Sequence, residues 1–273
     1  MDTCGSLKIG MALSLAVLPL AGQWLGYPAK GIPRLKDGKP NLAAPAPKTR
    51  EHRPDLSGTW WVPNYGTEGL ADPPPKYLVN LAADLKPEDF PILPWAEALS
   101  NQRAAEFGKD APNSRCLPLP VPTIFTEPLP FKILQMPSLT AILFESGGRY
   151  RQIFTDGRPL PKDPQPTWLG YSVGKWEGDT LVVETIGFND QSWLDARGHP
   201  HTDALHVTER FRRRDFGHIE LRATIDDPKA YSRPWSVTIP IELVPDTELV
   251  EYVCNENDRC GAGKCKESDA QKK

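Results

Sequence analysis

The chain has 273 residues, including 30 prolines and 21 glycines, so long helical bundles and coiled coils are excluded. Hydrophobic residues make up 39% of the sequence and charged residues 25%, which is typical of a globular protein and excludes a disordered chain. The formal net charge of -3 at pH 7 provides no positive field for a polyanion, so no nucleic-acid partner is expected.

The N-terminus carries a segment that is typical of an export signal. A lysine at position 8 precedes an apolar run over 9–21, which is short for a membrane span. We therefore expect residues 1–22 to be a signal peptide, with cleavage near Ala21 or at Ala29. An uncleaved membrane anchor is the alternative. The expected location is periplasmic or secreted, with no membrane association beyond export.

The cysteines are informative because thiols tend to pair in an oxidising compartment. Cys4 would leave with the signal peptide, and the four remaining cysteines permit three connectivities. We favour a disulfide between Cys116 and Cys254, with Cys260 and Cys265 closing a second loop. A zinc site is the alternative, although the three C-terminal cysteines form no CxxC pair and have no nearby histidine.

Proline dominates the first half of the chain, since 20 of the 30 prolines lie within 28–137. Residues 23–130 are therefore expected to form an extended arm that lies on another part of the protein. The arm contains one convincing helix, over 94–107, with proline at its start and glycine just past its end. The aromatic, β-prone stretch at 58–61 is expected to be the first strand.

After residue 130 the sequence changes to short β-prone runs separated by turn signals, which predicts an all-β domain over 131–254. We expect an antiparallel barrel built from consecutive hairpins, with turns such as Asp156-Gly157; a β-sandwich is the alternative. The polar tail over 255–273 is expected to fray. The predicted strands cover residues 131–135, 139–145, 150–154, 171–176, 180–188, 205–213, 218–226, 236–243 and 249–253.

Alternation of side chains predicts the register of the hairpin formed by 205–213 and 218–226. Like faces meet if Asp215-Phe216-Gly217 forms a three-residue loop with Gly217 in the left-handed conformation. The cross-strand pairs are then Arg212 with Glu220, Arg210 with Arg222, Thr208 with Thr224, and His206 with Asp226.

The polar face of this hairpin is either a charged surface exposed to water or part of a functional site. An aspartate opposite His206 would fix the ring tautomer and create a general base, whereas a structural hydrogen bond is the alternative for His206 and Asp226. Opposed arginines destabilise a strand pair unless an anion lies between them. Glu184 or a substrate carboxylate would supply that anion between Arg210 and Arg222.

A second histidine cluster precedes this hairpin, in the segment Gly198-His-Pro-His201 with Trp193 and Asp195 just before it. We expect a histidine of this loop to hydrogen-bond a substrate at the barrel mouth or to cap the loop. Metal binding is the alternative, but the spacing lacks HExxH or a facial carboxylate pattern, and no metal is expected.

The sequence predicts neither a nucleophile elbow nor a nucleotide-binding glycine loop. The GxSxG match at 170–174 leads into another strand, whereas a nucleophile elbow needs a helix after it. No glycine loop occurs in a βαβ setting, so no nucleotide cofactor is expected.

A long motif supports a resemblance to a family. The chain contains FTDGRPLP at 154–161 and PQPTWLGYSVGKWEGDTLVVETIGFN at 164–189, and in these segments it resembles a family of secreted bacterial proteins. The similarity extends from DLSGTW at 55–60 to EYVC at 251–254 and so covers most of the mature chain. The resemblance implies secretion, and it implies no particular reaction.

The segment Gly58-Thr-Trp60 also resembles the GxW start of lipocalin-like barrels. Together with the number of hairpins, this resemblance implies a calycin-type barrel with a central cavity.

Two main function classes follow from these expectations. The first is a cofactor-independent lyase or isomerase that acts by general acid/base chemistry on a small aromatic carboxylate-bearing molecule in the barrel cavity. The second is a non-catalytic periplasmic carrier of a hydrophobic small molecule, and an envelope scaffold is a third. The predicted catalytic residues are His206, Asp226 and His201, and the predicted substrate-binding residues are Arg210, Arg222, Glu184, Trp168, Tyr171 and Trp193.

Overall fold

A computed structural model describes residues 28–63 and 75–254 of the chain. The predicted signal peptide, the pairing of Cys260 with Cys265 and the polar tail all lie outside these residues. The strands are β1 (Gly58–Trp61), β2 (Phe131–Gln135), β3 (Leu139–Phe144), β4 (Arg149–Phe154), β5 (Tyr171–Glu177), β6 (Thr180–Ile186), β7 (His206–Arg213), β8 (His218–Asp226) and β9 (Trp235–Leu243), and the helices are α1 (Lys76–Val79) and α2 (Pro94–Ala105).

The nine strands form one closed barrel in chain order, which confirms the predicted all-β barrel over the sandwich. β9 returns to β1, where Leu243 pairs with Trp60, so the strand in the proline-rich arm closes the barrel. Neither helix in the described ranges combines the length and the apolar character that a bilayer span requires.

One neighbour pair departs from the antiparallel pattern. β4 and β5 run parallel and share two residue pairs, Ile153 with Ser172 and Phe154 with Val173. The predicted hairpin turn at Asp156-Gly157 is therefore wrong, because parallel neighbours require the chain to return to the end at which it started. The returning segment contains prolines at positions 159, 161, 164 and 166, which lack N–H donors and so keep it out of the sheet.

The predicted strand at 249–253 is also wrong, since this segment is irregular. β9 already has β8 and β1 as neighbours, so the described barrel offers no edge for a tenth strand. The segment is attached in another way. The Val250 N–H donates to Glu145 at 2.9 Å, and Cys254 forms a disulfide with Cys116 across a Cα–Cα distance of 5.7 Å. This disulfide confirms the favoured pairing.

Apolar side chains fill the inside of the barrel. Phe125, on a 3₁₀ turn at Thr123–Thr126, inserts its ring among Phe131, Phe144 and Phe211, at centroid distances of 5.0, 5.4 and 5.8 Å. All four rings are buried. The predicted central cavity is therefore wrong for the described residues, because the turn that carries Phe125 occupies the space between β2, β3 and β7.

A polar network that includes a buried ion pair lies among these apolar side chains. Arg151 on β4 pairs with Glu209 on β7, and their side chains are 1% and 0% exposed. Arg151 Nη1 donates to Glu209 Oε1 at 3.0 Å, and Nη2 contacts Oε2. Arg151 also donates to the hydroxyls of Ser172 on β5, at 3.1 Å, and Thr185 on β6, at 2.9 Å. The network thus connects four consecutive strands across the parallel pair.

The predicted β7–β8 register is confirmed, with His206 opposite Asp226 and Arg210 opposite Arg222. Burial alternates along both strands, so the odd-numbered residues point inward and the polar face points outward. The conformation predicted for Gly217 is wrong, since its φ lies outside the left-handed region.

Gly217 is instead required by a close approach of the N-terminal arm. Its N–H donates to the carbonyl of Leu42 at 2.7 Å, and the Phe216 N–H donates to that of Ala44 at 2.7 Å. A Cβ atom at position 217 would lie 2.4 Å from the Leu42 Cβ. The arm therefore lies on the β7–β8 turn only because this turn has no side chain there.

We expect Gly217→Ala to reduce the free energy of unfolding by about 1–3 kcal/mol, the usual cost of overpacking. Urea titration followed by tryptophan fluorescence measures this loss. The double variant Gly217→Ala with Leu42→Gly removes the clashing Cβ and should show a favourable coupling between the two sites. Strict additivity would contradict the steric explanation.

We expect Glu209→Gln to destabilise the protein by about 3–5 kcal/mol, because it leaves the Arg151 charge buried without its partner. Glu184→Gln is the matched control on the outer face of β6, where the side chain is 42% exposed and the expected cost is about 1 kcal/mol or less. Urea titration of both variants measures the two losses in the free energy of unfolding. Equal losses would mean that the interior pair does not support the barrel.

Candidate active site

The predicted proton-transfer pair lies on the outer surface of the barrel. His206 and Asp226 face each other across β7 and β8, but no hydrogen bond joins them. His206 Nε2 lies instead 3.7 Å from Glu184 Oε1, with the two side chains 35% and 42% exposed. The prediction that His206 and Asp226 point into the interior is therefore wrong, because alternation directs even-numbered β7 residues outward.

The predicted interior anion site is wrong for the same reason. Arg210 and Arg222 are both exposed, so water screens their repulsion. Arg210 Nη2 also donates to Glu177 Oε2 at 3.0 Å. Glu177 therefore supplies the nearby negative charge that the sequence analysis assigned to Glu184 or a substrate.

His201 is buried with both ring nitrogens in use. Its Nε2 lies 2.7 Å from the Ser192 hydroxyl, and its Nδ1 lies 3.2 Å from the Thr202 carbonyl oxygen. Burial lowers the pKa of His201, which favours the neutral ring. The predicted catalytic role of His201 is therefore replaced by a structural one, since neither nitrogen is available to a ligand.

The three predicted aromatic walls do not share one site. Trp193 is buried, and the guanidinium of Arg103 lies 4.4 Å from its ring centroid. Trp168 and Tyr171 line a separate pocket between β4 and β5. The predicted site residues are thus distributed over the outer face of the barrel, one loop and one strand junction.

The strongest chemical arrangement in the described structure is the pair Asp195 and His199. His199 Nδ1 lies 2.6 Å from Asp195 Oδ2, and the aspartate side chain is fully buried. The same oxygen accepts the Leu81 N–H at 2.8 Å, and Oδ1 accepts the His199 N–H at 3.3 Å. With two backbone N–H groups bonded to it, this carboxylate is oriented as a hydrogen-bond acceptor. Asp195 therefore acts as an acceptor for the histidine ring.

The tautomer of His199 follows from these donors. An ionised Asp195 accepts hydrogen bonds only, so Nδ1 of His199 carries the proton that it donates. In the neutral ring, Nε2 then presents a lone pair. Within the described residues Nε2 has no hydrogen-bond partner. The pair thus has the construction of an oriented general base.

Local structure explains why these two side chains meet. The Gly198 N–H donates to the Asp195 carbonyl at 3.0 Å, which turns the chain back so that His199 faces the aspartate. Gly198 has a φ of 82°, and a Cβ there would lie 2.6 Å from the Arg103 Cβ on α2. Only glycine combines this conformation with this contact.

The turn is fixed from two sides by neighbouring elements. The Ala196 and Arg197 N–H groups donate to carbonyls of α1 residues at 2.9 and 3.0 Å. From α2, the Ser100 hydroxyl donates to the Arg197 carbonyl at 3.0 Å, and Arg103 donates to the Gly198 carbonyl at 2.9 Å. This support fixes the geometry of the pair before a ligand binds.

His199 lines a cleft of about 340 Å³ between α2 and the segment 80–92. Phe90 forms part of the apolar wall, and its ring packs edge-on against His199 at a centroid distance of 4.9 Å. The polar wall includes Glu97 and Asn101 from α2, and Arg197 lies beside the histidine. The cleft therefore combines an apolar side, a cation and the histidine of the pair.

The sequence analysis named Asp195 and His199 as neighbours but did not pair them. The available signal was their spacing of four residues around a glycine. The decisive donor, the Leu81 N–H, lies 114 residues earlier in the chain and has no sequence pattern. Within the described ranges, no group of three or more His, Cys, Asp and Glu side chains has the arrangement of a metal site.

Comparisons with protein-family models, with curated proteins and with solved structures each return no match. The similarity to a family of secreted bacterial proteins thus stays a prediction, and the function must be argued from the site itself.

Proposed function

We propose that this protein is an enzyme that uses His199 as a general acid and base, acting as a lyase or isomerase on a small molecule. The observation that carries the proposal is the geometry of the histidine, whose Nδ1 is held by the buried Asp195 while its Nε2 belongs to a residue that lines the cleft. General acid/base catalysis by a positioned side chain typically contributes about 10²–10⁴ in rate.

The reaction needs no further reactant from the protein. Nε2 takes a proton from the substrate, and Asp195 stabilises the imidazolium that forms. In an isomerisation, Nε2 returns the proton to another substrate atom as the double bond shifts. In an elimination, the electron pair of the broken C–H bond forms the double bond, and Nε2 protonates the leaving group.

The cleft supports a substrate with an apolar part and a carboxylate. Its apolar wall, which includes Phe90, would pack against an aromatic ring. The exposed guanidinium of Arg197 would pair with the carboxylate beside the base. Glu97, which also lines the cleft, would repel a second negative charge on the substrate. These features favour an aromatic monocarboxylate.

The alternative of a carrier with a ligand inside the barrel has less support, because Phe125 and its neighbours fill the interior. Export to the periplasm is part of the proposal. It is supported by the disulfide between Cys116 and Cys254, since structural disulfides persist in oxidising compartments.

The test uses the full chain with phenylpyruvate, 3-hydroxy-3-phenylpropanoate and 4-phenyl-3-butenoate, which report keto–enol tautomerisation, dehydration and migration of a double bond. We expect the wild type to convert at least one of them. His199→Ala should lower the rate by about 10²–10⁴, the contribution of general acid/base catalysis. Asp195→Asn should lower it as well, because an amide no longer fixes the tautomer. Absorbance and optical rotation follow the reactions.

The matched control is His218→Ala. His218 Nδ1 also lies 2.6 Å from an aspartate, Asp215, but this pair is part-exposed at the β7–β8 turn. It should leave the rate unchanged. Equal loss in His199→Ala and His218→Ala, or no conversion of any of the three compounds by the wild type, would overturn the proposal.

A further inference from the structure

The parallel junction between β4 and β5 opens into a wedge on the outside of the barrel. The two strands pair only at Ile153 and Phe154, so the first four residues of β4 have no strand neighbour on this side. The segment before β5 pairs elsewhere, since the Thr167 N–H donates to Gly187 at 2.9 Å and Thr167 accepts from Asn189 at 2.8 Å. The resulting pocket has a volume of about 500 Å³.

Aromatic rings line this wedge. Tyr150 is 65% exposed, although large aromatic side chains are usually covered. Trp168 lines the pocket from the segment before β5. Phe154 and Tyr171 are stacked at a centroid distance of 5.3 Å. The exposed rings give flat apolar surfaces to which a planar molecule can bind.

Arg158 fixes two of these rings in place. Its guanidinium lies 3.9 Å from the Phe154 ring centroid, and its Nη1 donates to the Tyr171 hydroxyl at 3.1 Å. Asp156 holds the guanidinium through Nε at 2.9 Å. The aromatic wall is therefore preorganised, and a ligand would not have to order it.

The charge of the lining is positive. Arg149 and Arg151 line the wedge, and no acidic residue lines it in the described structure. Glu209 neutralises Arg151. Arg149 is bound chiefly to neutral oxygens, including the Cys116 carbonyl at 2.8 Å, while the Glu127 carboxylate lies 3.7 Å away. The Glu127 carboxylate thus offsets the charge of Arg149 only in part, and the guanidinium can attract an anionic ligand.

We propose that the wedge between β4 and β5 is a binding site for a small planar aromatic anion, separate from the His199 cleft. Stacking on Trp168 and Tyr150 would hold the ring, and Arg149 would attract the negative group. No residue lines both pockets, so the site does not rest on the proposed enzyme activity.

The test compares two probes of the same shape, 2-naphthoate and neutral 2-naphthalenemethanol, by calorimetric titration of the full chain. We expect 2-naphthoate to bind at least tenfold more tightly.

Gln152→Glu places a negative charge in the wedge on an exposed β4 side chain. It should weaken the binding of 2-naphthoate about tenfold and leave the affinity for the alcohol unchanged. Gln102→Glu, the same change on exposed α2, is the control and should alter neither affinity.

Two further variants assign the binding to this wedge. Tyr150→Ala, at a position that is 65% exposed, should weaken the binding of both probes by several-fold. His199→Ala should leave both affinities unchanged, so failure of the wedge and failure of the catalytic cleft are distinguishable. No binding of 2-naphthoate at millimolar concentration, equal affinity for the two probes, or equal effects of Gln152→Glu and Gln102→Glu would overturn the proposal.

Discussion

The buried ion pair of Arg151 and Glu209 stabilises the barrel at one of the two places where neighbouring strands share only two residue pairs. β4 and β5 share two residue pairs, whereas β5 and β6 share seven. Desolvation of two charges is offset only when every donor and acceptor is satisfied. Here the hydroxyls of Ser172 and Thr185 accept the hydrogen bonds of Arg151 that Glu209 does not. Because the strands are joined on the inside, they can separate on the outside. The wedge at this junction is thus a consequence of the way in which the barrel is closed.

The filled interior also determines where chemistry can take place. Phe125 occupies the space that would hold a ligand in a hollow barrel, so the site is formed by the segments that cover the barrel. The loop with Asp195 and His199 lies between α1 and α2. Backbone hydrogen bonds join it to α1, and side chains of α2 donate to its carbonyl groups. Asp195 resembles Glu209 in that each is a buried carboxylate with a donor from a distant part of the chain, Leu81 for Asp195 and Arg151 for Glu209.

The sequence predicted the barrel and the β7–β8 register because both depend on local alternation, which a single strand reveals. It did not predict which face of that hairpin is buried. The opposition of Arg210 and Arg222 favoured an interior anion site on the polar face, because like charges need an anion between them. The partner that explains Glu209 is Arg151, which lies 58 residues away in a run that shows no charge pattern. Likewise, the spacing of Asp195 and His199 is local, but the donors that orient them depend on tertiary contacts that no sequence period records.

The protonation of the His199 ring tests the central claim most directly, because a general base needs an unprotonated Nε2. In ¹⁵N-labelled protein at pH 8, long-range ¹H–¹⁵N correlation spectra distinguish the two ring nitrogens, and His199→Ala assigns the signals. The account predicts a neutral ring with the proton on Nδ1, held by Asp195, and a free Nε2 whose signal shifts when an aromatic carboxylate is added. A proton on Nε2 with a bare Nδ1 would contradict it.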